Sequence, residues 1–190
     1  ADGLSSNQTQ FDWGNGKAFV DGSFATHVCP AWMLGTIKGQ LESAGGGAAS
    51  GWDVADVFPG GASNWGGAFL SVPKSSKHPA EAAKLAAWLT APEQQIKQSA
   101  AANNFPSTLE AQAKIVEAAK PNELFNNAPY GAIFESRAEG VIAQFKGPDD
   151  SVIQENVFGP ALKMLDSGKG TADEAWNEAV KLLNDLVVNN

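Results

Sequence analysis

Every strand signal in this sequence falls before Pro73, and the remainder of the chain reads as helix and turn. The strand candidates are residues 24–29, after a turn at Asp21-Gly22, then 52–58, ended by Pro59, and 68–72, closed by Pro73. The helix candidates are more numerous. They cover 31–41, 79–89, 91–102, 108–119, a short piece over 122–127, 134–145 with an interruption at Gly140, 151–167 and 172–188. Pro30 suits a first helical turn, Pro79 opens the second helix, and Gly168 stops the one before the last. So small a sheet leaves helix faces uncovered. The pattern is that of an α/β chain from which strands are missing.

Between the second and third strand candidates lies a loop with Gly60, Gly61, Gly66 and Gly67, holding Asn64 and Trp65 among them. Glycines there let the chain bend and let a ligand approach the main chain. An indole face covers the C–H face of a pyranose, and an amide bonds its hydroxyls, so Trp65 with Asn64 forms a sugar-binding pair or a ring tucked back on its own domain. Trp32 follows the first strand candidate at the start of a helix, where α/β proteins place ligand contacts. It is a second stacking candidate, with simple packing as the alternative. Trp88 and Trp176 lie in apolar helix registers and read as core: Trp88 with Leu85, Ala86 and Leu89 against a sheet, Trp176 with Val180, Leu183 and Val187. Three helix starts carry the Ser/Thr-x-x-Glu pattern of a capping box: Thr90 with Glu93, Ser107 with Glu110, and Thr171 with Glu174.

The composition excludes several classes. A net charge of −8 across 190 residues argues against nucleic acid and against an anionic membrane surface. No stretch is apolar and long enough to span a bilayer, and the start Ala-Asp-Gly-Leu lacks the basic and apolar regions of a signal peptide. The chain is therefore cytoplasmic or has had its natural beginning removed. Cys29 is the only cysteine, so no internal disulfide forms. His27 and Cys29 share a face of a strand, which reads as a half-buried pair; His-x-Cys is too little for zinc, and no metal or cofactor is expected. His78 reads as a solvated turn residue. Asp12, Asp21, Asp53 and Asp56 lie near the aromatic loops and keep open a glycoside hydrolase with paired carboxylates, although none has a distinctive context.

The ordered series Gly16-Lys-Ala-Phe-Val-Asp-Gly-Ser-Phe24, Pro30-Ala-Trp32, Asp53-Val-Ala-Asp-Val-Phe-Pro59 and Gly66-Gly-Ala-Phe-Leu-Ser-Val-Pro73, continuing through Lys74 to Gln95, resembles the C-terminal half of extracellular sugar-binding proteins of ABC importers. That family includes maltose-binding protein. Cys29-Pro-Ala-Trp-Met-Leu-Gly35 with Asn64-Trp-Gly-Gly67 is most similar to its actinobacterial branch for cello-oligosaccharides and related β-linked sugars. The resemblance covers essentially the whole chain. It implies a type II periplasmic-binding-protein-like α/β fold with two lobes and a hinge, of which this chain carries the C-terminal portion. Residues 1–60 and 121–190 would belong to the second lobe, and 61–120 to the hinge and first lobe. The implied function is binding of a β-linked oligosaccharide, of cello- or xylo-oligosaccharide type, without catalysis. Trp32, Asn64, Trp65, Gly66 and Phe134 would contact it, with Phe134 where relatives place another stacking aromatic. The implied partners are an ABC-importer permease and the protein's N-terminal half, missing from this chain. The implied location is extracellular or cell-surface, as a lipoprotein in the full-length form.

Overall fold

The computed structural model describes residues 4–8, 11, 13–47, 51–102, 104–118 and 121–188. They form helices and turns, grouped into two compact units. One comprises residues 15–21 and 26–142; the other comprises 1–14, 22–25 and 143–190.

The larger unit begins with a 3-10 turn, Lys17–Phe19, and a helix α1, Met33–Ser43. Met33, Leu34, Ile37 and Leu41 follow helical spacing and are buried, as are Ala18 and Phe19 of the turn. The turn starts at Gly16, whose φ of 85° is left-handed and where a Cβ would collide with the Gln40 carbonyl. Only glycine satisfies both conditions. After α1 the Gly45 amide bonds Glu42 O and the Gly46 amide bonds Leu41 O, closing the helix with a Schellman motif. There follow α2, Pro79–Leu89; α3, Pro92–Ala102; α4, Leu109–Ala118; a 3-10 turn, Glu123–Phe125; and α5, Tyr130–Ala138. Helices α3, α4 and α5 pack in succession. Ala111, Phe125 and Ala128 are buried, and buried Gln112 donates from Nε2 to Pro106 O at 3.0 Å.

Three expectations for this unit are corrected. First, residues 26–29, 52–58 and 68–72 run without a strand ladder, and no strand is present among the described residues. A strand needs a neighbour to take its N–H and C=O groups. Side chains tether the middle segment instead: Trp52 Nε1 donates to Phe19 O at 2.6 Å, and Asn126 Nδ2 donates to Asp53 at 3.1 Å. Residues 68–72 have no such tether, and Phe69 is 100% exposed. Second, Trp88 is not core. It is 56% exposed, with Leu85 and Leu89 beside it, because the sheet that this face of α2 was expected to cover is absent among the described residues. Third, α5 begins at Tyr130, directly after Pro129, and stops before Gly140, where the expectation was 134–145. The Gly140 amide closes its last turn by bonding Arg137 O.

The smaller unit is built on α6, Asp150–Ile153; a π-turn, Gln154–Phe158; α7, Gly159–Asp166; and α8, Ala172–Val188. The first three are the single helix expected over 151–167. Its π-turn has a cause in the sequence. Pro160 has no N–H and crowds the preceding turn, so the helix widens and the Gly159 amide bonds Gln154 O, five residues back. Gly168, at φ 66°, ends it with a second Schellman closure, in which the Lys169 amide bonds Met164 O. Val157, Ala161, Ala175 and Ala179 form the core, flanked by Ile153, Leu165, Leu182 and Leu186. The packed stripe of α8 is thus 175–179–182–186. Trp176, expected in the core, is 62% exposed on the neighbouring stripe with Val180 and Leu183. Small alanines let α7 and α8 approach closely, and an indole has no room between them.

Candidate functional site: a tryptophan pair on a glycine loop

Trp32 stands at the N-terminus of α1, fixed by the buried Met33-Leu34 that come after it. Trp65 arrives from the glycine loop. The ring centroids are 6.5 Å apart with planes at 73°, an edge-to-face pair. Trp32 Nε1 donates to the Trp65 carbonyl at 3.3 Å, so the indole of one residue holds the backbone of the other. Asn64 Nδ2 donates to Gly66 O at 3.2 Å. This turn depends on the left-handed φ of Gly66 (80°), whose Cα hydrogen faces Trp32 Nε1. Trp32 is half-buried and Trp65 is 42% exposed. The arrangement offers aromatic surface beside an amide, on a loop braced by a helix start.

The structure therefore brings Trp32, Asn64, Trp65 and Gly66 together. Phe134, the fifth candidate, lies on α5 and makes its ring contact with Phe105, at 5.9 Å between centroids. A separate cleft of about 550 Å³ lies among α1, α3, α4 and α5, lined by Lys38, Ile96, Ile115, Leu124 and Tyr130 among others. It includes neither tryptophan of the pair, and among the described residues Tyr130 is the only aromatic ring that lines it. The pair has the stacking chemistry, and it is the better candidate.

Asp53, Asp56 and His27 are engaged in other contacts. Asp53 accepts from Asn126, and Asp56 is ion-paired with Arg137 at 2.7 Å. Asp12 lies outside the described residues, and Asp21 is exposed in the turn after Lys17–Phe19. His27 Nε2 lies 3.4 Å from Met33 Sδ, and its ring meets Phe19 edge-on. Burial lowers the His27 pKa from its ordinary value, and burial pushes the Cys29 thiol up to about 11. A thiolate nucleophile needs the opposite shift. His78 is exposed. Among the described residues no three His, Cys, Asp or Glu side chains cluster as a metal site.

One contact escaped the sequence reading. Arg137 on α5 makes four hydrogen bonds to residues 56 and 61, just before the tryptophan loop. Its one advance signal was that it is the single arginine among 13 basic residues.

A protein-family model described as bacterial extracellular solute-binding protein matches residues 5–126. The chain belongs to that family. A crystal structure titled extracellular solute-binding protein family 1 is 48% identical, with a TM-score of 0.82 over 97% of this chain. The chain spans 46% of that relative's length. No curated protein matches. The fold is thus that of part of a solute-binding protein. The hydrolase alternative gains no support from the family or from the placement of Asp53 and Asp56. No helix among the described residues is long and apolar enough to cross a membrane.

Proposed function

We propose that this chain is the C-terminal portion of an extracellular binding protein that captures a β-linked oligosaccharide, of cello- or xylo-oligosaccharide type, and hands it to the permease of an ABC importer. The observation that carries the reading is the Trp32–Trp65 pair with Asn64 on a glycine loop, in a chain of the solute-binding family. Trp32 and Trp65 stack on the sugar faces, the Asn64 amide bonds hydroxyls, and Gly66 keeps the main chain open to the ligand. Phe134 serves as a further aromatic contact. No bond is made or broken in the sugar, and no cofactor or metal takes part.

In this reading the whole protein has the two lobes and hinge of a type II binding protein. Residues 1–60 and 121–190 belong to the second lobe, and 61–120 to the hinge and first lobe. Its N-terminal half is a partner of this chain, and the full-length form is anchored at the cell surface as a lipoprotein. Two features support the partner. Residues 68–72 have backbone with no ladder and a fully exposed Phe69, and α2 presents Leu85, Trp88 and Leu89 to solvent. Such an edge and face suit a strand and a sheet from another polypeptide segment.

The test is calorimetric titration of the intact protein with cellotetraose and xylotetraose, with chromatography of the sugar afterwards. Saturable binding with the sugar recovered unchanged supports the proposal. Shorter products would make it an enzyme. No binding across a broad oligosaccharide panel would remove the sugar assignment.

A further inference from the structure

We propose that Arg137 is a positioning residue for the ligand-binding loop, holding Trp65 against Trp32; this rests on the sugar-binding reading above. Residues Phe58-Pro59-Gly60-Gly61 form a tight turn, in which the Gly61 amide bonds Phe58 O at 3.0 Å and Gly60 takes a φ of 82°. Proline followed by left-handed glycine marks a type II turn. The Arg137 guanidinium spans its mouth. On one side Nε and a terminal nitrogen donate to Asp56 Oδ1 at 3.0 and 2.7 Å, and the same terminal nitrogen donates to the Asp56 carbonyl at 2.8 Å. On the other side the second terminal nitrogen donates to the Gly61 carbonyl at 3.0 Å. Asp56 and Gly61 are thereby held to α5.

The loop that leaves this turn reaches Trp65 four residues after Gly61. Its far end is tied to α1 by the bond from Trp32 to the Trp65 carbonyl. Between these ties Ala62 lies against Gly140, just past the end of α5, since a Cβ on Gly140 would come 3.1 Å from the Ala62 Cβ. With Gly60 and Gly61 before Trp65 and Gly66 and Gly67 after it, the loop needs fixing to present an indole in one place, and Arg137 holds the side before Trp65 while Trp32 holds Trp65 itself. Lysine cannot replace it. A single ammonium reaches Asp56 or Gly61, whereas the planar fork reaches both at once. That the chain's single arginine among 13 lysine and arginine residues stands here fits this requirement.

The experiment uses the intact protein, with Arg137→Met and Arg137→Lys each made in wild-type and Trp65→Phe backgrounds. Iodide quenching of the fluorescence that Trp65→Phe removes reads the loop without sugar, and calorimetry with cellotetraose reads binding. Both substitutions are expected to raise quenching of Trp65 and to weaken cellotetraose binding by about tenfold, the loss of one charge-assisted contact's worth of free energy. A purely electrostatic role would be rescued by lysine, and rescue would overturn the proposal. So would a folded Arg137→Lys protein with unchanged Trp65 quenching, or one with altered quenching and unchanged affinity. Should Arg137→Met fail to fold, the lysine variant decides alone. If wild-type protein ignores cellotetraose while quenching still changes, the clamp stands and the sugar assignment falls.

Discussion

At the scale of single residues, the glycine at position 16 carries a sharp expectation. Gly16→Ala forces a left-handed backbone on alanine and drives its methyl into the Gln40 carbonyl. The loss should exceed the roughly 1 kcal/mol of a routine glycine replacement, read as a lower urea midpoint. The titrating pair gives a second. Burial raises the Cys29 pKa to about 11 from about 9, so the unfolded thiol ionises first as pH rises. Stability from this group is complete below pH 9 and is lost between pH 9 and 11. His27 has the opposite sign: burial lowers its pKa from 6.5, so stability is present above that value and declines as pH falls. Denaturation midpoints across pH 5–11 check both, and the alkaline loss should vanish in Cys29→Ala. The cluster proposed as the site was partly legible residue by residue. Trp32, Asn64, Trp65 and Gly66 read as stacking and hydroxyl-bonding candidates with packing as the alternative, and the structure places the four side by side. The Arg137 clamp was not legible, because its partners lie 81 and 76 residues away and neither end marks the other.

At the scale of elements, the helix caps show what a local pattern can and cannot settle. Thr171 and Glu174 form the full box: Thr171 N and Oγ1 donate to Glu174 Oε2 at 2.8 and 3.0 Å, and the Glu174 amide returns to Thr171 Oγ1 at 3.3 Å. The backbone bond from Thr171 holds the Glu174 carboxyl below its ordinary pKa. At the other two starts a neighbouring element intervenes. Thr90 turns back to Ala86 O and ends α2, while Gln95 of α3 reaches the amides of Ser107 and Thr108 and takes the place of a cap on α4. The same holds for helices and strands in general here. Apart from α5, helix positions could be read closely because a helix satisfies its own backbone, whereas the strand segments needed partners that sequence patterns cannot supply. Two substitutions separate these cases. Thr171→Ala should speed amide exchange in the first turn of α8, whereas Thr90→Ala should leave the start of α3 unchanged and loosen only the end of α2. Hydrogen exchange resolved to those turns is the measurement.

At the scale of the whole molecule, the apolar surface left over is the informative quantity. Phe69, Leu70, Leu85, Trp88 and Leu89 are exposed in the larger unit, and Trp176, Val180 and Leu183 in the smaller. Scattered apolar residues on a surface require no explanation, but an aromatic and two leucines on one helix face, with unladdered backbone in the same unit, do. The registers of α2 and α8 were correctly read as apolar. What failed was the inference from an apolar face to a buried one, because burial depends on what else is present. The chain's span of 46% of its solved relative supplies a consistent source for the cover. This leads to a prediction for the chain produced alone. It should bind a hydrophobic dye and self-associate, and adding the N-terminal half proposed above should reverse both. Trp88→Glu should reduce dye binding by the lone chain, by placing a charge on the exposed face, and should weaken assembly with the complement. Analytical ultracentrifugation with dye titration reads all three effects. A lone chain that is monodisperse and silent to dye would mean that these faces need no cover, and that the unladdered segment at 68–72 is a finished surface.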